Sequence, residues 1–432
     1  MSTTSAPAVG EGSAPAPEST DVLVVGAGPA GSAAAAWAAR HGLDVLLADS
    51  ATFPRDKTCG DGLTPRAIAE LDHLGLGEWV RGYGTNKGLR AHGFGQTLEL
   101  PWPGGALPAH GGAVARTTLD DRIRRVALDA GAVPMDGAKA VDVTYLGDRV
   151  ERVVFADGRT VRCKRLVVAD GARSTLGRVL GREWHKDTAY GVAARGYITS
   201  GRSDDEWISS HLELRGEENE VLAGYGWVFP LNNGEVNIGV GTLATEHRPA
   251  QVRLRSLIEL YADQRRTDWQ LDGPVRHTAS ALLPMGGAVS GVAGANWALI
   301  GDAAGCVNPL NGEGIDYGLE TGRLVAEMMA GERDLATAWP ATLRTHYGQA
   351  FSIARRLAGL LTIPRLLPLA GPVGMRSRAL MTVALRVMGN LVTESDNDLT
   401  ARAWRAAGRA SLRLDDRPPF PAADLRVPTA AR

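Results

Sequence analysis

A glycine-rich turn near the start of the chain has the residue types and the spacing that bind a dinucleotide. Its pattern is G-x-G-x-x-G, formed by Gly26, Gly28 and Gly31, with Pro29 and Ala30 between the last two. The first glycine permits a tight turn, the second lets the backbone approach a pyrophosphate, and the third lets a helix pack closely against a strand. The positive end of that helix then faces the phosphate charge. A glycine-rich turn without a ligand is the alternative interpretation.

A carboxylate lies where the ribose of such a ligand needs a hydrogen-bond acceptor. Asp49 closes the second apolar stretch of the chain, DVLLAD, 23 residues after Gly26. In β-α-β nucleotide sites, a carboxylate at the end of the second strand accepts a hydrogen bond from a ribose hydroxyl. The turn and the carboxylate together predict a dinucleotide ligand.

A row of aromatic residues in the middle of the chain would suit an apolar substrate. The sequence YGWVFP at residues 225–230 places Tyr225, Trp227 and Phe229 at every second position, followed by Pro230. Alternate side chains of a strand project to one face, so the three rings would form one wall. Such a wall stabilises a flat apolar ligand at about 25 cal/mol per Å² of surface removed from water. Rings packed in the core between a sheet and a helix are the alternative.

The composition excludes several classes of protein. There are 47 Lys and Arg residues against 48 Asp and Glu residues among 432, which leaves a net charge of −1. Nucleic-acid-binding proteins normally carry a basic surplus, so no nucleic-acid partner is predicted. Cys59, Cys163 and Cys306 lie far apart and form no C-x-x-C, so neither a disulfide framework nor a metal site is expected.

The elements that position these residues follow two patterns. Residues 21–49 alternate strand, helix and strand, which is a β-α-β unit. Strands with hairpin turns occupy residues 139–169 and about 185–243, whereas the chain beyond about residue 340 has a helical pattern. Residues 1–19 contain no Lys, no Arg and no long apolar run, so we expect a disordered tail and not a signal peptide.

A long stretch near the C-terminus lacks acidic residues. Between residues 335 and 393 there is no Asp or Glu, while arginine occurs seven times among runs of Leu, Ile, Val and Met. An arginine near an anionic membrane surface contributes about 1 kcal/mol of attraction. Helices lying in a membrane interface are one interpretation, and a helical cap packed on the rest of the protein is the other. No uninterrupted apolar run reaches the length of a membrane-spanning helix.

Two later segments resemble FAD-binding segments of the para-hydroxybenzoate-hydroxylase-like flavoproteins. LVVADGARS at residues 166–174 resembles their Asp-Gly segment, and ALIGDAAG at 298–305 resembles their second FAD fingerprint, in which the aspartate binds the ribityl chain. The resemblance therefore implies FAD as the cofactor. The further residues that it implies as FAD contacts are Arg116, Asp170, Gly171, Asp302, Pro309, Gly312, Gly314 and Ile315. A strand-end cap or a turn is the alternative for each segment alone.

Two other segments narrow the resemblance to the geranylgeranyl reductase family. PRDKTCGDG at residues 54–62 resembles the Pro-x-x-Lys-x-Cys-Gly loop of that family, and YGWVFP resembles its Tyr-x-Trp-x-Phe-Pro motif. With NPLNGEGIDYGLE at 308–320, the resemblance covers about residues 20–345 and is strongest to bacterial members that saturate a menaquinone side chain. It implies an FAD-dependent reductase that saturates a carbon–carbon double bond of a prenyl lipid. Menaquinone is the first candidate substrate and geranylgeranyl lipids are the second.

Within that loop, Cys59 has two interpretations. As a member of the family motif, Cys59 with Gly60 would contact the flavin, and its thiol would help to position or protonate the double bond. A thiol has an ordinary pKa of about 8.5, so it is a weak acid at neutral pH. A small buried hydrophobic residue is the alternative. The wall of Tyr225, Trp227, Phe229 and Pro230 would bind the prenyl chain.

Other functions and partners stay open at this point. A flavin-dependent monooxygenase or halogenase that acts on a small aromatic substrate has the same fold, although the halogenase motif Trp-x-Trp-x-Ile-Pro is absent. A membrane-docked flavoprotein that passes electrons to a partner is a third hypothesis. The electron donor is not identified by the sequence, because no second G-x-G-x-x-G indicates a separate NAD(P)H site. NAD(P)H, ferredoxin and other reductants are all candidates. We expect a cytoplasmic protein in peripheral contact with the inner face of the cell membrane.

The expected architecture is α/β. A Rossmann-type FAD-binding domain of the para-hydroxybenzoate-hydroxylase type carries an inserted, mainly antiparallel β-sheet substrate domain and a C-terminal helical region. We expect the FAD-binding domain at residues 20–88, 110–184 and 278–340, and the substrate domain at 89–109 and 185–277. The helical region is expected at 341–432.

Overall fold

The structure is a computed structural model that describes residues 18–250, 252–331 and 333–422. The tail expected at residues 1–19 lies outside the described residues except for its last two. Of these, Ser19 begins the first strand. Residues 423–432 of the expected helical region also lie outside the described residues.

The described residues form twenty strands and eleven α-helices. The strands are β1 (Ser19–Val25), β2 (Val45–Ala48), β3 (Gly62–Leu63), β4 (Thr85–Asn86), β5 (Gly88–Gly93), β6 (Gln96–Pro101), β7 (Gly111–Ala113), β8 (Val133–Met135), β9 (Ala140–Leu146), β10 (Arg149–Phe155), β11 (Thr160–Val168), β12 (Glu183–Trp184), β13 (Tyr190–Ser200), β14 (Trp207–His211), β15 (Gly224–Pro230), β16 (Glu235–Ala244), β17 (Leu271–Leu283), β18 (Val289–Ser290), β19 (Ala293–Gly294) and β20 (Trp297–Leu299). The helices are α1 (Pro29–Arg40), α2 (Pro65–His73), α3 (Gly77–Arg81), α4 (Arg116–Asp129), α5 (Thr175–Val179), α6 (Leu254–Trp269), α7 (Ile315–Met329), α8 (Leu335–Leu361), α9 (Leu366–Met375), α10 (Arg378–Met388) and α11 (Leu399–Arg413).

The first sheet is the scaffold of the nucleotide-binding turn. Its order is β19-β20-β11-β1-β2-β8, with β10 and β9 attached in sequence beside β11. The five strands from β20 to β8 run parallel, and their Val and Leu runs are buried as in sheets covered on both faces. Helix α1 consists largely of alanine, which lets α7 pack closely on it, and a Cβ on Gly322 would lie 2.6 Å from the carbonyl oxygen of Ala30.

The second sheet carries the aromatic row. Its order is β17-β13-β16-β15-β14-β5-β6, and all neighbours are antiparallel except β14 and β5. Helix α6 covers one face, where Val228, Ile238 and Tyr261 belong to one buried cluster. The fold class expected from the sequence is therefore confirmed, with an inserted and mainly antiparallel sheet. The domain boundaries stay a prediction, although β17 continues past residue 277 to Leu283 and α8 begins before residue 341 at Leu335.

The C-terminal helices pack on both parts of the protein. Helix α8 adjoins the first sheet through Trp339, whose indole N–H donates to the carbonyl of Leu299 at 2.8 Å. Helices α9 and α10 contact the edge of the second sheet, because Met375 and Leu385 share a buried cluster with Leu100. No single helix among the described residues is long and apolar enough to cross a membrane. Helices α8 and α9 meet that test only as a pair, across a bend of 110°.

Candidate active site

A single continuous cavity of about 880 Å³ lies between the two sheets and the C-terminal helices. Its two ends differ in the polarity of their lining. The polar end is lined by Gly26, Gly28, Asp49, Asp170, Asp302 and Gly314. The apolar end is lined by Leu100, Trp102, Ile208, Phe229, Leu367, Met375, Met381, Ala384, Leu385 and Met388.

The β1–α1 turn has the shape that a dinucleotide needs. Gly26 has a φ of 103°, and a Cβ on Gly31 would lie 1.7 Å from the carbonyl oxygen of Gly26. Gly31 therefore packs helix on strand and does not line the cavity, whereas Gly28, Pro29 and Ala30 do. Pro29 is the first residue of α1 and no side chain caps this helix, so its first N–H groups point to a place for phosphate.

Two predicted carboxylates line the polar end and also hold its backbone. Asp49 accepts hydrogen bonds from the N–H groups of Ala27 at 2.7 Å and Ala51 at 2.8 Å. Asp170 accepts from the Ser174 hydroxyl at 2.6 Å and from the N–H of Leu176 at 2.9 Å. Asp170 thus fixes the start of α5, and burial raises the pKa of its carboxyl. Gly171 follows it in the cavity wall.

A buried ion-pair cluster supports the same end. Arg116 donates to Asp120 through Nε at 2.6 Å and through Nη2 at 2.8 Å, and Arg55 donates to the same carboxylate at 3.0 Å. Asp120 is fully buried, and two-point contacts of this kind fix the plane of a guanidinium group. Arg116 and Arg55 both line the cavity, so Asp120 orients two cations toward it.

The segment that resembles the second FAD fingerprint also contributes to the cavity wall. Asp302 lies in a 3₁₀-helix, Gly301–Ala304, and lines the cavity together with Gly312, Gly314 and Ile315. Helix α7 begins at Ile315 without a side-chain cap, so a second helix N-terminus faces the polar end. Pro309 is not brought to the cavity wall. Its ring packs instead at 2.8 Å from the place of a Cβ on Gly286.

These features fit FAD. The turn has room for the pyrophosphate only because glycine occupies residues where a Cβ would collide with backbone. Two uncapped helix N-termini and the carboxylates at residues 49, 170 and 302 supply donors and acceptors along the same wall. Adenosine, pyrophosphate and ribityl groups need such donors and acceptors.

The aromatic row forms one wall of the cavity. Tyr225, Trp227 and Phe229 all line it, with neighbouring ring centroids 5.9 and 6.2 Å apart. The residues between them face α6, because a Cβ on Gly226 would lie 2.3 Å from the ring of Tyr261. Pro230 ends β15 and is not part of the cavity lining. The rings are therefore partly packed in the core and partly exposed to the cavity.

The Cys59 loop packs against those rings. A Cβ on Gly62 would lie 2.9 Å from the ring of Phe229, and one on Gly60 would lie 3.2 Å from Nε1 of Trp227. Cys59 and Gly60 both line the cavity. Burial raises the pKa of the Cys59 thiol, and the positive charge of Arg116 opposes that shift. Burial therefore disfavours the thiolate form of Cys59.

An amide side chain that the sequence analysis missed clamps this loop to the second sheet. The Nδ2 group of Asn237 donates to the carbonyl of Cys59 at 2.9 Å and to the carboxylate of Asp61 at 2.8 Å, while its Oδ1 accepts from Trp227 at 2.9 Å. The hydroxyl of Tyr197 donates to the same Asp61 oxygen at 2.8 Å. Burial raises the pKa of Asp61 to about 6.

An arginine on β13 adds a second clamp. Arg195 is fully buried, donates to the carbonyls of Lys57 at 3.0 Å and His277 at 2.6 Å, and pairs with Asp56. Its guanidinium lies 4.8 Å from the ring centroid of Tyr197. Each partner is more than 80 residues away in sequence, so no local motif indicated this contact.

The C-terminal helices supply most of the apolar end, which the sequence analysis did not predict. Twelve lining residues lie between Leu361 and Gly389. A Cβ on Gly371 of α9 would lie 2.1 Å from the ring of Phe94, so this helix seats directly on the loop between β5 and β6. The run of Leu and Met without acidic residues in this region was the signal that could have indicated a lining role.

An acidic residue that the motif analysis did not single out lies between the two ends. Glu313 lines the cavity, and its carboxyl accepts a hydrogen bond from the hydroxyl of Thr64. Burial raises the pKa of Glu313 well above its usual range, and the charge of Asp316 adds to the shift. Among the described residues, no group of His, Cys, Asp and Glu side chains could hold a metal ion.

Comparison with protein families and curated proteins identifies relatives over most of the chain. The family described as "FAD binding domain" matches residues 19–334. The menaquinone reductase of Mycolicibacterium smegmatis is 65% identical over 403 residues, 93% of this chain and 98% of that protein. The menaquinone reductase of Mycobacterium tuberculosis is 63% identical over 404 residues, 93% of this chain and 99% of that protein. A digeranylgeranylglycerophospholipid reductase of Methanopyrus kandleri is 29% identical over 71% of this chain and 80% of that protein.

Solved structures show the same fold at low identity. A geranylgeranyl bacteriochlorophyll reductase-like protein from Thermoplasma acidophilum aligns with a TM-score of 0.68 at 20% identity, covering 91% of this chain and 96% of that one. A flavin-dependent brominase aligns with a TM-score of 0.70 at 20% identity, covering 92% of this chain and 100% of that one. These alignments establish the fold, and the FAD expected from the sequence is confirmed by the family match.

Proposed function

This chain belongs to the geranylgeranyl reductase family of FAD-dependent flavoproteins, and on that premise we propose that it saturates a carbon–carbon double bond in the isoprenoid side chain of menaquinone. The observation that carries the proposal is the single cavity, which joins an FAD-binding polar end to an apolar end. Menaquinone takes first place because the relatives at 63% and 65% identity are menaquinone reductases. Geranylgeranyl lipids are the second candidate.

Residues of the cavity wall would position the isoprenoid chain for the reaction. Bound FAD, once reduced by an electron donor, would supply the hydride for one carbon of the double bond. Tyr225, Trp227 and Phe229 hold the isoprenoid chain against one wall, beside the polar end. An isolated alkene is a poor hydride acceptor, so its placement and the exclusion of water by these rings supply much of the rate.

The clamped loop closes the other side of the reacting region. Asn237 ties the carbonyl of Cys59 and the indole of Trp227 to one amide group, so the loop and the aromatic wall keep a fixed spacing. We propose that Cys59 and Gly60 contact the flavin from this loop. The family motif also suggests that the Cys59 thiol positions or protonates the double bond.

We also propose that α9 and α10 bring the apolar end to a membrane surface. Leu369 and Val373 of α9 are 76% and 66% exposed, beside the lining residues of the same helix. The exposed cations Arg365, Arg376 and Arg378 flank them. Apolar side chains bordered by arginine suit the interface of an anionic membrane. A lipid could then enter the cavity without crossing water.

The location and the electron donor follow from this arrangement as proposals. The protein would lie in the cytoplasm against the inner face of the cell membrane, where menaquinone and soluble reductants are both accessible. NAD(P)H, ferredoxin or another cytoplasmic donor would reduce the bound FAD. The two cysteines outside the loop, Cys163 and Cys306, are buried and unpaired, which suits a reducing compartment.

The proposed reaction is tested by expressing the chain in a bacterium whose menaquinone side chain is fully unsaturated. Mass spectrometry of the extracted quinones should show a species two hydrogens heavier, with fragments that place both hydrogens in the isoprenoid chain. Gly31→Ala, which disrupts the FAD-binding turn, is the control and should give no such species. Unchanged quinone masses from FAD-loaded protein in the presence of a supplied reductant would contradict the proposal. Oxygen consumption with a small aromatic substrate would instead support a monooxygenase or halogenase.

A further inference from the structure

We propose that Glu313 is the acid that protonates the double bond, an inference that rests on the proposed reduction of an isoprenoid chain. Glu313 lines the cavity between Gly312 and Gly314, two residues before the first residue of α7. It therefore lies at the border of the polar end. The neighbouring Asn311 accepts a hydrogen bond from the hydroxyl of Tyr225 at 2.5 Å, so the aromatic wall adjoins the same turn. Glu313 thus lies where the flavin site and the chain site meet.

The hydrogen bonds of Glu313 leave one carboxyl oxygen available for a proton. Its Oε1 accepts from the hydroxyl of Thr64. Its Oε2 lies 3.4 Å from Nδ2 of Asn311, which is long for a hydrogen bond. A protonated Oε2 can therefore point its O–H group into the cavity without losing a strong partner.

The surroundings of Glu313 disfavour its charged form. Burial raises the pKa of Glu313, the negative charge of Asp316 raises it further, and Arg66 opposes both effects only in part. Asp316 is fully buried, its Oδ1 has no hydrogen-bond partner among the described residues, and burial raises its pKa to about 7. A charge on Asp316 therefore helps to keep the proton on Glu313.

Two other groups near the same place are poorer acids. Burial raises the pKa of Tyr225, and its hydroxyl already donates to the carbonyl of Asn311. Burial also raises the pKa of the Cys59 thiol from a value that begins several units above that of a carboxyl. Carboxyl groups are ordinarily stronger acids than thiols and phenols, which favours Glu313 as the donor among these three groups.

The proposed reduction is balanced in atoms and electrons. The O–H bond of Glu313 breaks and a C–H bond forms at one alkene carbon, while the other carbon gains a hydride, with its two electrons, from reduced FAD, which would become oxidised FAD. The alkene thus takes up one proton and one hydride and becomes saturated. The Glu313 carboxylate that remains takes up a proton from solvent before the next turnover.

Two measurements on the full FAD-loaded chain test the assignment. Infrared spectroscopy of protein labelled with ¹³C-glutamate should show the carbonyl band of a protonated carboxylic acid at neutral pH, and Glu313→Gln should remove it. A single turnover of reduced protein with menaquinone in vesicles should slow by about 10²-fold or more in Glu313→Gln, because general acids contribute 10² to 10⁴. The matched control is Glu327→Gln, on the half-exposed side of α7, which should change neither result.

The outcomes separate this inference from the proposed function. Wild-type protein that leaves menaquinone unchanged but shows the acid band would contradict the function and leave the protonated state of Glu313 intact. Loss of turnover in Cys59→Ala with full turnover in Glu313→Gln would assign the acid to the thiol and overturn the inference. If Glu313→Gln fails to bind FAD, Glu313→Asp replaces it and should retain turnover at a reduced rate. A spectrum of wild-type protein without the acid band would contradict the inference directly.

Discussion

The two ends of the cavity are built in different ways. At the polar end, several contacts that shape the wall are local in sequence, as between Gly26 and Gly31 or Arg116 and Asp120, although Arg55 and Asp120 lie 65 residues apart. At the apolar end, the wall combines the loop after β5, strand β15 and the helix pair α9 and α10, and each of these three segments is more than a hundred residues from the next. The polar end is fixed by close backbone packing, whereas the apolar end is fixed by side chains that adapt more easily.

This difference predicts how each end responds to change. A backbone collision cannot relax by rotating a side chain, so substitutions at the polar end should abolish cofactor binding. Substitutions at the apolar end should change which lipid binds while FAD stays in place. The loop that carries Cys59 lies between the two ends, so substitutions in it should affect both FAD binding and lipid binding.

The largest effect is expected for Gly31→Ala. The new Cβ would lie 1.7 Å from the carbonyl oxygen of Gly26, so α1 must move away from β1. We expect purified protein with almost no FAD, and a loss of about 3 kcal/mol in the free energy of unfolding. Flavin absorbance and denaturant titration measure the two effects. Gly359→Ala, which meets no atom within 4 Å, is the control and should retain FAD.

The next largest effect, a change in the pH dependence of the free energy of unfolding, is expected for Asp61→Asn in the clamped loop. Burial raises the pKa of Asp61 from 3.8 to about 6, so the folded state keeps a proton that the unfolded state has released between those values. Asp61 therefore lowers the free energy of unfolding as pH rises from 4 to 6, by about 3 kcal/mol. Asp61→Asn should remove this loss and stabilise the protein at pH 7.

Denaturant titrations at several pH values between 4 and 7 test that prediction. The difference between Asp61→Asn and the unchanged chain should grow with pH and level off above 6. Asp148→Asn, in an exposed hairpin turn, should show no such growth. A pH-independent difference for Asp61→Asn would mean that the carboxyl is charged throughout and that the clamp depends on that charge.

For Ala384→Trp we expect a smaller effect on stability but a clear loss of substrate reduction. Ala384 lines the apolar end on α10, so an indole there would occupy space that a prenyl chain needs. We expect reduction of long-chain menaquinone to fall about tenfold to a hundredfold while FAD content is unchanged. Val383→Trp, one residue away and outside the lining, should keep full reduction. Equal losses in both variants would contradict a lining role for α10.

The smallest effect on stability is expected for Leu369→Ser combined with Val373→Ser. Both side chains are exposed, so the free energy of unfolding should change by less than about 0.5 kcal/mol. Binding to anionic vesicles, measured by co-sedimentation, should nevertheless fall, because these side chains would face the lipid. Leu399→Ser, equally exposed on α11, should bind vesicles as the unchanged chain does. Unaltered binding in the double variant would contradict membrane contact through α9.

The same contrast explains what the sequence could and could not predict. The FAD-binding turn and the aromatic row were predictable, because glycine spacing and strand alternation are local patterns. Asn237 was not, because its partner Cys59 lies 178 residues away, and Glu313 was not, because Thr64 lies 249 residues away. Contacts of this kind depend on how strands are ordered in a sheet, which a single sequence does not encode in any short motif.

Single turnover without an added electron donor tests most directly whether the two ends form one active site. FAD-loaded protein, chemically reduced and kept free of oxygen, is mixed with menaquinone in lipid vesicles while flavin absorbance and quinone mass are both followed. We predict that flavin oxidation and a mass gain of two hydrogens in the isoprenoid chain occur together, at one quinone per flavin. Flavin that stays reduced beside the lipid, or that is oxidised while the quinone mass is unchanged, would contradict the account.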